Sequence, residues 1–144
     1  MNLIRINELP FEGMSHALVG EDHAAPISIY FVEAPAGKGP VLHLHPYVET
    51  LVVLEGTARL TVGSDELSLE AGQVAVVPAN TPHRFINTGS GLLRQIDIHA
   101  SSRFVQTDLG SNRRAVTRAR ACRGAADAAA CADGHPDPGY RRNV

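Results

Sequence analysis

Four side chains of metal-binding type stand in two short stretches of this 144-residue chain. His43 and His45 alternate with apolar residues, and residues i and i+2 of a β-strand project from the same face. Glu49 follows after a turn at 46–48 that can bring its carboxylate back beside the two imidazoles, and His83 enters a later strand. Three neutral imidazoles and a carboxylate suit a divalent first-row ion, such as iron, manganese, nickel, copper, cobalt or zinc. Ligand type alone does not choose among these metals.

Short strands separated by turns must position these ligands. Runs of apolar and β-branched residues recur at roughly ten-residue spacing, with Gly, Pro, Asn and Asp between them. No convincing amphipathic helix separates the runs, so the pattern predicts an all-β sandwich or barrel rather than βαβ units. The clearest runs are Ile27–Val32, Leu51–Leu54, Ala58–Val62 and Leu67–Leu69.

Charge and composition change after Gly110. Residues 1–110 hold 6 Lys or Arg and 12 Asp or Glu, whereas residues 111–144 hold 7 Arg and 3 Asp. The second part has too few large apolar residues to offset the entropy of folding; they are Val116, Tyr140 and Val144. We therefore expect an N-terminal strand or arm at 1–26, a barrel at 27–106 and a disordered tail at 107–144. Within the arm, Ile4, Ile6 and Leu9 suggest an edge strand, followed by a turn at 10–13.

The whole-chain composition narrows the possible partners. The formal net charge of -2 at pH 7 argues against a dedicated nucleic-acid binder. No apolar run approaches the length of about eighteen residues that a membrane span needs, and the first residues lack the features of a secretory signal. We expect a cytoplasmic protein whose partner is a small molecule, with no nucleic acid and no membrane.

The two ligand-bearing stretches resemble the two signature motifs of the cupin superfamily. The first motif reads Gly37-x5-His43-x-His45-x3-Glu49-x6-Gly56 and matches at every fixed position. The second reads Gly72-x5-Pro78-x-Asn80-x2-His83-x3-Asn87, with Asn80 where the family usually has glycine. Asparagine tolerates the left-handed backbone region for which a turn glycine is used. The short spacer between the motifs is similar to that of small single-domain cupins, and the resemblance covers about residues 27–104.

The resemblance implies a fold, a cofactor and an assembly. The fold would be a double-stranded β-helix, the cupin jelly-roll barrel, of about 6–8 main strands. One divalent transition metal per chain would lie inside the barrel mouth, held by His43, His45, Glu49 and His83. A homodimer formed by strand exchange or by sheet-to-sheet contact would be the assembly.

Three further residues are candidate catalytic groups. In the strand 95–99, Gln95, Asp97 and His99 share one face, and two isoleucines share the other. If the polar face lines the cavity, His99 or Asp97 becomes a general acid or base beside the metal. We expect the polar face to be solvated instead, because a one-sided sheet alternates in this way by default. Tyr47, in the turn between the ligands, could reach substrate, although turn tyrosines more often pack at a rim.

The expected function is that of a metal-dependent enzyme acting on a small organic molecule. A redox-active metal with open positions can bind substrate and O2, so oxidoreductase chemistry of the dioxygenase type is the main expectation from the resemblance. Leu51, Val53 and Phe85 would form an apolar pocket that excludes bulk water. The alternatives are an isomerase, decarboxylase or lyase that uses the metal as a Lewis acid, and a non-catalytic cupin that binds a small ligand.

Overall fold

Two antiparallel sheets face each other in the computed structural model, which describes residues 3–110. The described residues form eleven strands, numbered in chain order. They are β1 (Phe11–Glu12), β2 (Ser15–Leu18), β3 (Ser28–Ala34), β4 (His43–Leu44), β5 (Glu49–Glu55), β6 (Thr57–Val62), β7 (Asp65–Glu70), β8 (Val74–Val77), β9 (His83–Asn87), β10 (Leu93–His99) and β11 (Thr107–Asp108). None of the helices in this part of the chain is long and apolar enough to cross a membrane.

The strand order within the two sheets confirms the all-β jelly-roll prediction. One sheet has six strands in the order β1-β2-β3-β10-β5-β8, and the other has five in the order β11-β4-β9-β6-β7. Every pairing is antiparallel. All of these strands except β1, β4 and β11 have four residues or more. The remaining eight agree with the expected number of main strands.

The core forms between the inner faces of the two sheets. Strand β5 shows why, because its residues Glu49, Leu51 and Val53 are buried while those between them are more exposed. Leu60 and Phe85 meet this face from the opposite sheet. Each large apolar side chain buried here contributes about 1.5–3 kcal/mol relative to an exposed one. The same alternation turns Glu49 inward at one end of the core.

The N-terminal arm differs in detail from its prediction. Ile6–Glu8 forms a short 3-10 helix rather than an edge strand, closed by main-chain bonds from Glu8 to Arg5 and from Leu9 to Ile6. These local bonds use the donors that a strand would offer to a neighbour. The edge of the sheet is instead the β1–β2 hairpin, whose turn includes Gly13 at φ +61°.

The barrel continues past its predicted boundary at residue 106. Strand β11 pairs with β4, placing Thr107 opposite Leu44 and Asp108 opposite His43. A main-chain bond from Leu109 to Leu42 extends the ladder. The first residues assigned to the tail therefore belong to the five-stranded sheet, because β4 leaves one edge free for them. The disorder predicted for residues 111–144 lies outside the described part of the chain.

Candidate metal centre

The fold brings together the four ligands that the sequence predicted. His43 lies on β4 directly opposite His83 at the start of β9, and Glu49 begins β5. His45 follows β4, and all four side chains are buried. One potential ligand atom from each residue lies within 4.8 Å of the corresponding atom of every other.

The three histidine rings are held in one orientation by main-chain oxygens. In each ring Nδ1 lies 2.7 Å from a carbonyl oxygen, that of Val41, Val105 or Thr81 for His43, His45 and His83 respectively. Because a carbonyl oxygen only accepts, each Nδ1 must carry the proton. A neutral ring then has its lone pair on Nε2. Such outer hydrogen bonds are the usual way in which proteins orient metal-binding histidines.

The contacts around Glu49 show that the donor set suits a cation. His83 Nε2 lies 2.6 Å from Glu49 Oε2, and His45 Nε2 lies 3.4 Å from the same oxygen without forming a hydrogen bond. A neutral Nε2 and a carboxylate are both acceptors, so the 2.6 Å contact needs either a proton on His83 or, in its place, a metal ion held by both atoms. Burial works against charge here, yet contact with His45 and His83 holds the pKa of Glu49 below its usual range. Three imidazole nitrogens and one carboxylate fit a divalent transition metal.

The pKa of His83 reflects the same competition. Burial lowers it, but the hydrogen bonds to Glu49 and to the Thr81 carbonyl outweigh burial and raise the pKa above its ordinary value. At His43 burial prevails and lowers the pKa. A proton at His83 and a metal ion at the four ligands therefore compete for the same electron pairs.

Residues 104–108, a segment that we call the strap, hold the candidate ligand His45 and the neighbouring Tyr47 by hydrogen bonds. The carbonyl of Val105 accepts hydrogen bonds from His45 Nδ1 and from the Tyr47 hydroxyl, at 2.7 and 3.2 Å. The Val105 amide donates to the same hydroxyl at 2.9 Å. The Tyr47 ring also stacks on His45, with 5.3 Å between centroids and 6° between planes. No sequence signal reveals this support, because Val105 acts through its main chain.

A cavity of about 240 Å³ opens beside the four ligands. Its other lining residues come from the β1–β2 hairpin, the inner sheet faces and the strap. They are Glu12, Gly13, Met14, Ser15, Tyr30, Val32, Pro40, Leu51, Phe85, Asp97, His99, Phe104 and Gln106. The volume lies below the ~300–1,000 Å³ of pockets for drug-sized ligands, so a ligand here must be small.

Strand β10 turns its polar face into the barrel, contrary to our expectation that this face is solvated. Gln95, Asp97 and His99 are at most 5% exposed. The isoleucines instead share the outer face of the sheet with apolar neighbours: Ile96 lies opposite Val52 on β5. Alternation correctly separated the two faces. Alternation could not tell which face points into the barrel, because here the cavity side is polar and the outer side is apolar.

The pKa values of the two titratable groups on this face, His99 and Asp97, are both shifted in the direction that favours the neutral form. Burial lowers the pKa of His99 to about 4 despite the nearby Glu49, whose Oε1 lies 3.7 Å from His99 Nε2. Burial, and then the charge of Glu49, raise the pKa of Asp97 well above its usual value. Gln95 donates to Asp97 Oδ1 at 2.6 Å and fixes that carboxyl. Both groups line the cavity and can exchange a proton with a molecule in it.

Comparison with known families agrees with this geometry. The family model described as "Cupin domain" matches residues 30–99. This part of the chain is a cupin domain. In sequence, the chain is also similar to the HTH-type transcriptional regulator PuuR of Escherichia coli strain K12, with 37% identity over 60 residues, which are 42% of this chain and 32% of the regulator.

Solved structures share the fold of this cupin domain. A mutant of Bacillus subtilis oxalate decarboxylase superposes with a TM-score of 0.66 and 25% identity, over 74% of this chain and 31% of the enzyme. Another structure of Bacillus subtilis oxalate decarboxylase, studied for its Mn(II) centres, gives a TM-score of 0.64 and 24% identity, over 72% of this chain and 30% of that chain. The chain spans less than a third of the length of each of these proteins.

Within the cupin domain, the remaining predicted site residues have distinct positions. Leu51 and Phe85 line the cavity as expected, but Val53 lies deeper, in the core. Tyr47, a candidate catalytic residue from the sequence, is absent from the cavity lining and holds His45 and the strap instead. It is a positioning residue, because its hydroxyl is engaged by Val105. The contribution of Met14 was missed, since the arm carries no sequence pattern that places it at the cavity.

Proposed function

We propose that this cupin domain binds one divalent transition metal and acts as a metal-dependent enzyme on a small organic molecule. The observation that carries the proposal is the convergence of His43, His45, Glu49 and His83 at a cavity wall, with every Nδ1 already bonded to a carbonyl. Because the three rings are already held in place, they lose little conformational entropy when their Nε2 atoms bind a metal. The metal can be iron, manganese, nickel, copper, cobalt or zinc, and the Mn(II) centres of one similarly folded oxalate decarboxylase support manganese.

The chain's own residues have separate parts in this function. A bound ion would supply Lewis-acid polarisation of substrate oxygens and, if redox-active, chemistry with O2. Leu51, Phe85 and Phe104 exclude water from the bound molecule. His99 accepts a proton from it or returns one, because its lowered pKa leaves the ring neutral near pH 7. Asp97 is held by Gln95 and offers a second proton site.

Two reaction classes are candidates. An oxygen-dependent oxidation of the dioxygenase type follows from a redox-active ion in a three-histidine, one-carboxylate set. Decarboxylation, or another lyase or isomerase reaction, is favoured by proton-transferring groups beside the ligands and by the likeness in fold to oxalate decarboxylases. Oxygen consumption and carbon dioxide release, measured on the same metal-loaded protein, separate the two classes.

A measurement of metal content tests the central proposal. We expect elemental mass spectrometry of the purified full chain to find about one transition-metal ion per chain, and the His43→Ala variant to lose it. His16→Ala is the matched control, because His16 is a half-buried histidine of β2 bonded to the Leu9 carbonyl. Stoichiometric zinc would favour the Lewis-acid reactions. Absence of metal from the unaltered protein would refute the proposal.

The second candidate function is binding of a small ligand without turnover. The sequence match to a transcriptional regulator favours it. Under this alternative, a molecule that binds the metal-loaded cavity is recovered unchanged after prolonged incubation in air. Chemical conversion of that molecule, lost in His43→Ala, would instead support the enzyme.

We also propose that a second copy of the chain covers the outer face of the six-stranded sheet. Two cross-strand rows of this face are almost entirely apolar, and Val74 and Val76 at its edge are 58% and 63% exposed. A two-fold axis brings such a face against itself. Residues 111–144 contain too few large apolar side chains to cover it. One row is Val74, Val52, Ile96, Phe31 and His16, and the next is Val76, Thr50, Ile98, Ile29 and Leu18.

The oligomeric state in solution tests this interface. We expect light scattering after gel filtration to give twice the chain mass, and Val74→Lys to shift the protein to a monomer. Leu67→Lys is the matched control, because Leu67 is a similarly exposed residue of β7 in the other sheet. A monomeric unaltered protein, or a dimer that survives Val74→Lys, would contradict the proposed interface.

A further inference from the structure

The charges around the cavity are almost all of one sign. Three carboxyl groups line it, those of Glu12, Glu49 and Asp97. Among the described residues, neither a lysine nor an arginine belongs to the lining. Proteins that recognise carboxylates through side chains mainly use those two residue types, and arginine does so with paired hydrogen bonds. Beyond the metal centre, the described lining therefore offers an anion no cationic lysine or arginine side chain.

The proposed metal centre can balance one negative charge. A divalent ion with the Glu49 carboxylate leaves a single positive charge, since the three histidines are neutral as ligands. A monoanion bound there brings the sum to zero, which a buried site favours because unpaired charge away from water is costly. Asp97 adds no positive charge in either protonation state. The remaining imidazole, His99, turns its Nε2 towards Glu49 Oε1 at 3.7 Å.

A second carboxylate on the bound molecule would lie in unfavourable surroundings. Beyond the metal-binding residues, the apolar and aromatic part of the cavity wall is formed by Met14, Tyr30, Leu51, Phe85 and Phe104. The Tyr30 and Phe104 rings lie 4.8 Å apart and form an aromatic surface next to His99. This surface suits an uncharged hydrocarbon or aromatic group. At the cavity entrance, Glu12 is exposed and repels a second negative charge.

We infer that the cavity binds small monoanions, with one carboxylate at the metal centre and an uncharged apolar body against Tyr30 and Phe104, and that it discriminates against dicarboxylates. The inference rests on the proposed metal binding and narrows the substrate class. Oxalate, named in the similarly folded decarboxylases, is a dicarboxylate and falls in the disfavoured class. Likeness in fold therefore does not extend to the substrate.

A pair of six-carbon acids tests this inference by binding rather than by turnover. Hexanoate and adipate have the same chain length and differ by one carboxylate. We would load the full chain with Co²⁺, confirm one ion per chain, and titrate each acid by calorimetry while following the visible Co²⁺ spectrum. Hexanoate should bind and change the spectrum. Adipate and oxalate should bind at least about tenfold more weakly, because an uncompensated like charge costs more than the ~1.4 kcal/mol of a tenfold ratio.

A charge reversal at the entrance sharpens the test. Glu12→Arg supplies the missing cation, so the preference for hexanoate over adipate should fall by about threefold or more. Glu66→Arg is the matched control, because Glu66 is an exposed residue of β7 outside the lining and should leave the preference unchanged.

Each outcome separates this inference from the proposed function. Adipate or oxalate binding as tightly as hexanoate would overturn the inference and leave the metal site intact. Failure of hexanoate to bind the Co²⁺-loaded chain would do the same. Failure of the chain to bind Co²⁺ or any other transition metal would overturn both the proposed function and the inference.

Discussion

Removing the Tyr47 hydroxyl isolates the contribution of the strap to metal binding. That hydroxyl donates to the Val105 carbonyl and accepts from the Val105 amide, at 3.2 and 2.9 Å. Each hydrogen bond is worth about 0.5–1.5 kcal/mol net, so Tyr47→Phe should weaken the attachment of the strap by about 1–3 kcal/mol. The aromatic ring and its stacking on His45 stay in place.

The loss should reach the metal through His45. Its Nδ1 shares the Val105 carbonyl with Tyr47, so a loosened strap no longer fixes the ring. Loss of such an outer partner typically costs ~10–100-fold in metal affinity. Because the substitution leaves the carbonyl present and only less well held, we expect the lower limit, a rise of about tenfold in the dissociation constant for Zn²⁺ or Mn²⁺.

Competition with a fluorescent chelator at constant pH measures this change. Tyr30→Phe is the control, since it removes the same atom from a tyrosine that lies in the cavity and is not bonded to Val105. Hydrogen exchange should show faster exchange of the Val105 amide in Tyr47→Phe only. Unchanged metal affinity in Tyr47→Phe, or an equal loss in Tyr30→Phe, would refute the role assigned to the strap.

Four further substitutions test the fold around the site. Asn87→Ala removes three hydrogen bonds of a buried side chain and should lower the free energy of unfolding by about 3 kcal/mol in urea. Gly39→Ala brings a Cβ into collision with the Phe85 carbonyl oxygen and should cost about 3 kcal/mol. In contrast, Gly91→Ala has open space and should stay within about 0.5 kcal/mol of the parent. In the presence of a chelator, the free energy of unfolding should fall as the pH drops from 6.5 towards 4, because His99 takes up its proton at a higher pH in the unfolded chain than in the folded one. His99→Gln should remove about 3 kcal/mol of that fall. Equal pH profiles would contradict the lowered pKa.

Three of the four ligands could be predicted from the sequence because their geometry is local, whereas His83 was assigned to them through the resemblance to the second cupin motif. Alternation places His43 and His45 on one face, and the following turn returns Glu49 to them. The substitution of Asn80 for glycine was also interpretable: its φ is 59°, the left-handed value that asparagine tolerates. The main-chain N–H of Asn80 donates to the His45 carbonyl at 2.7 Å, so this turn connects the two motifs.

The surroundings of the ligands could not be predicted in the same way. The strap acts through the main chain of Val105, which no side-chain pattern records. Met14 and Tyr30 reach the cavity only because β2 and β3 join the sheet beside β10. These contacts depend on strand order, which a single sequence with period-two alternation leaves open.

The orientation of β10 links the metal centre to the proposed dimer. A one-residue shift of this strand would exchange its two faces, placing Ile96 and Ile98 in the cavity and exposing Asp97 and His99. Hydrophobic burial within a single chain favours that exchanged arrangement, because it would put the isoleucines inside. A second copy packed on the outer face removes the advantage, since Ile96 and Ile98 are then buried where they are. The proposed dimer therefore stabilises the register that supplies the cavity with Asp97 and His99, and a monomeric variant such as Val74→Lys should show weaker protection of the β10 amides from hydrogen exchange.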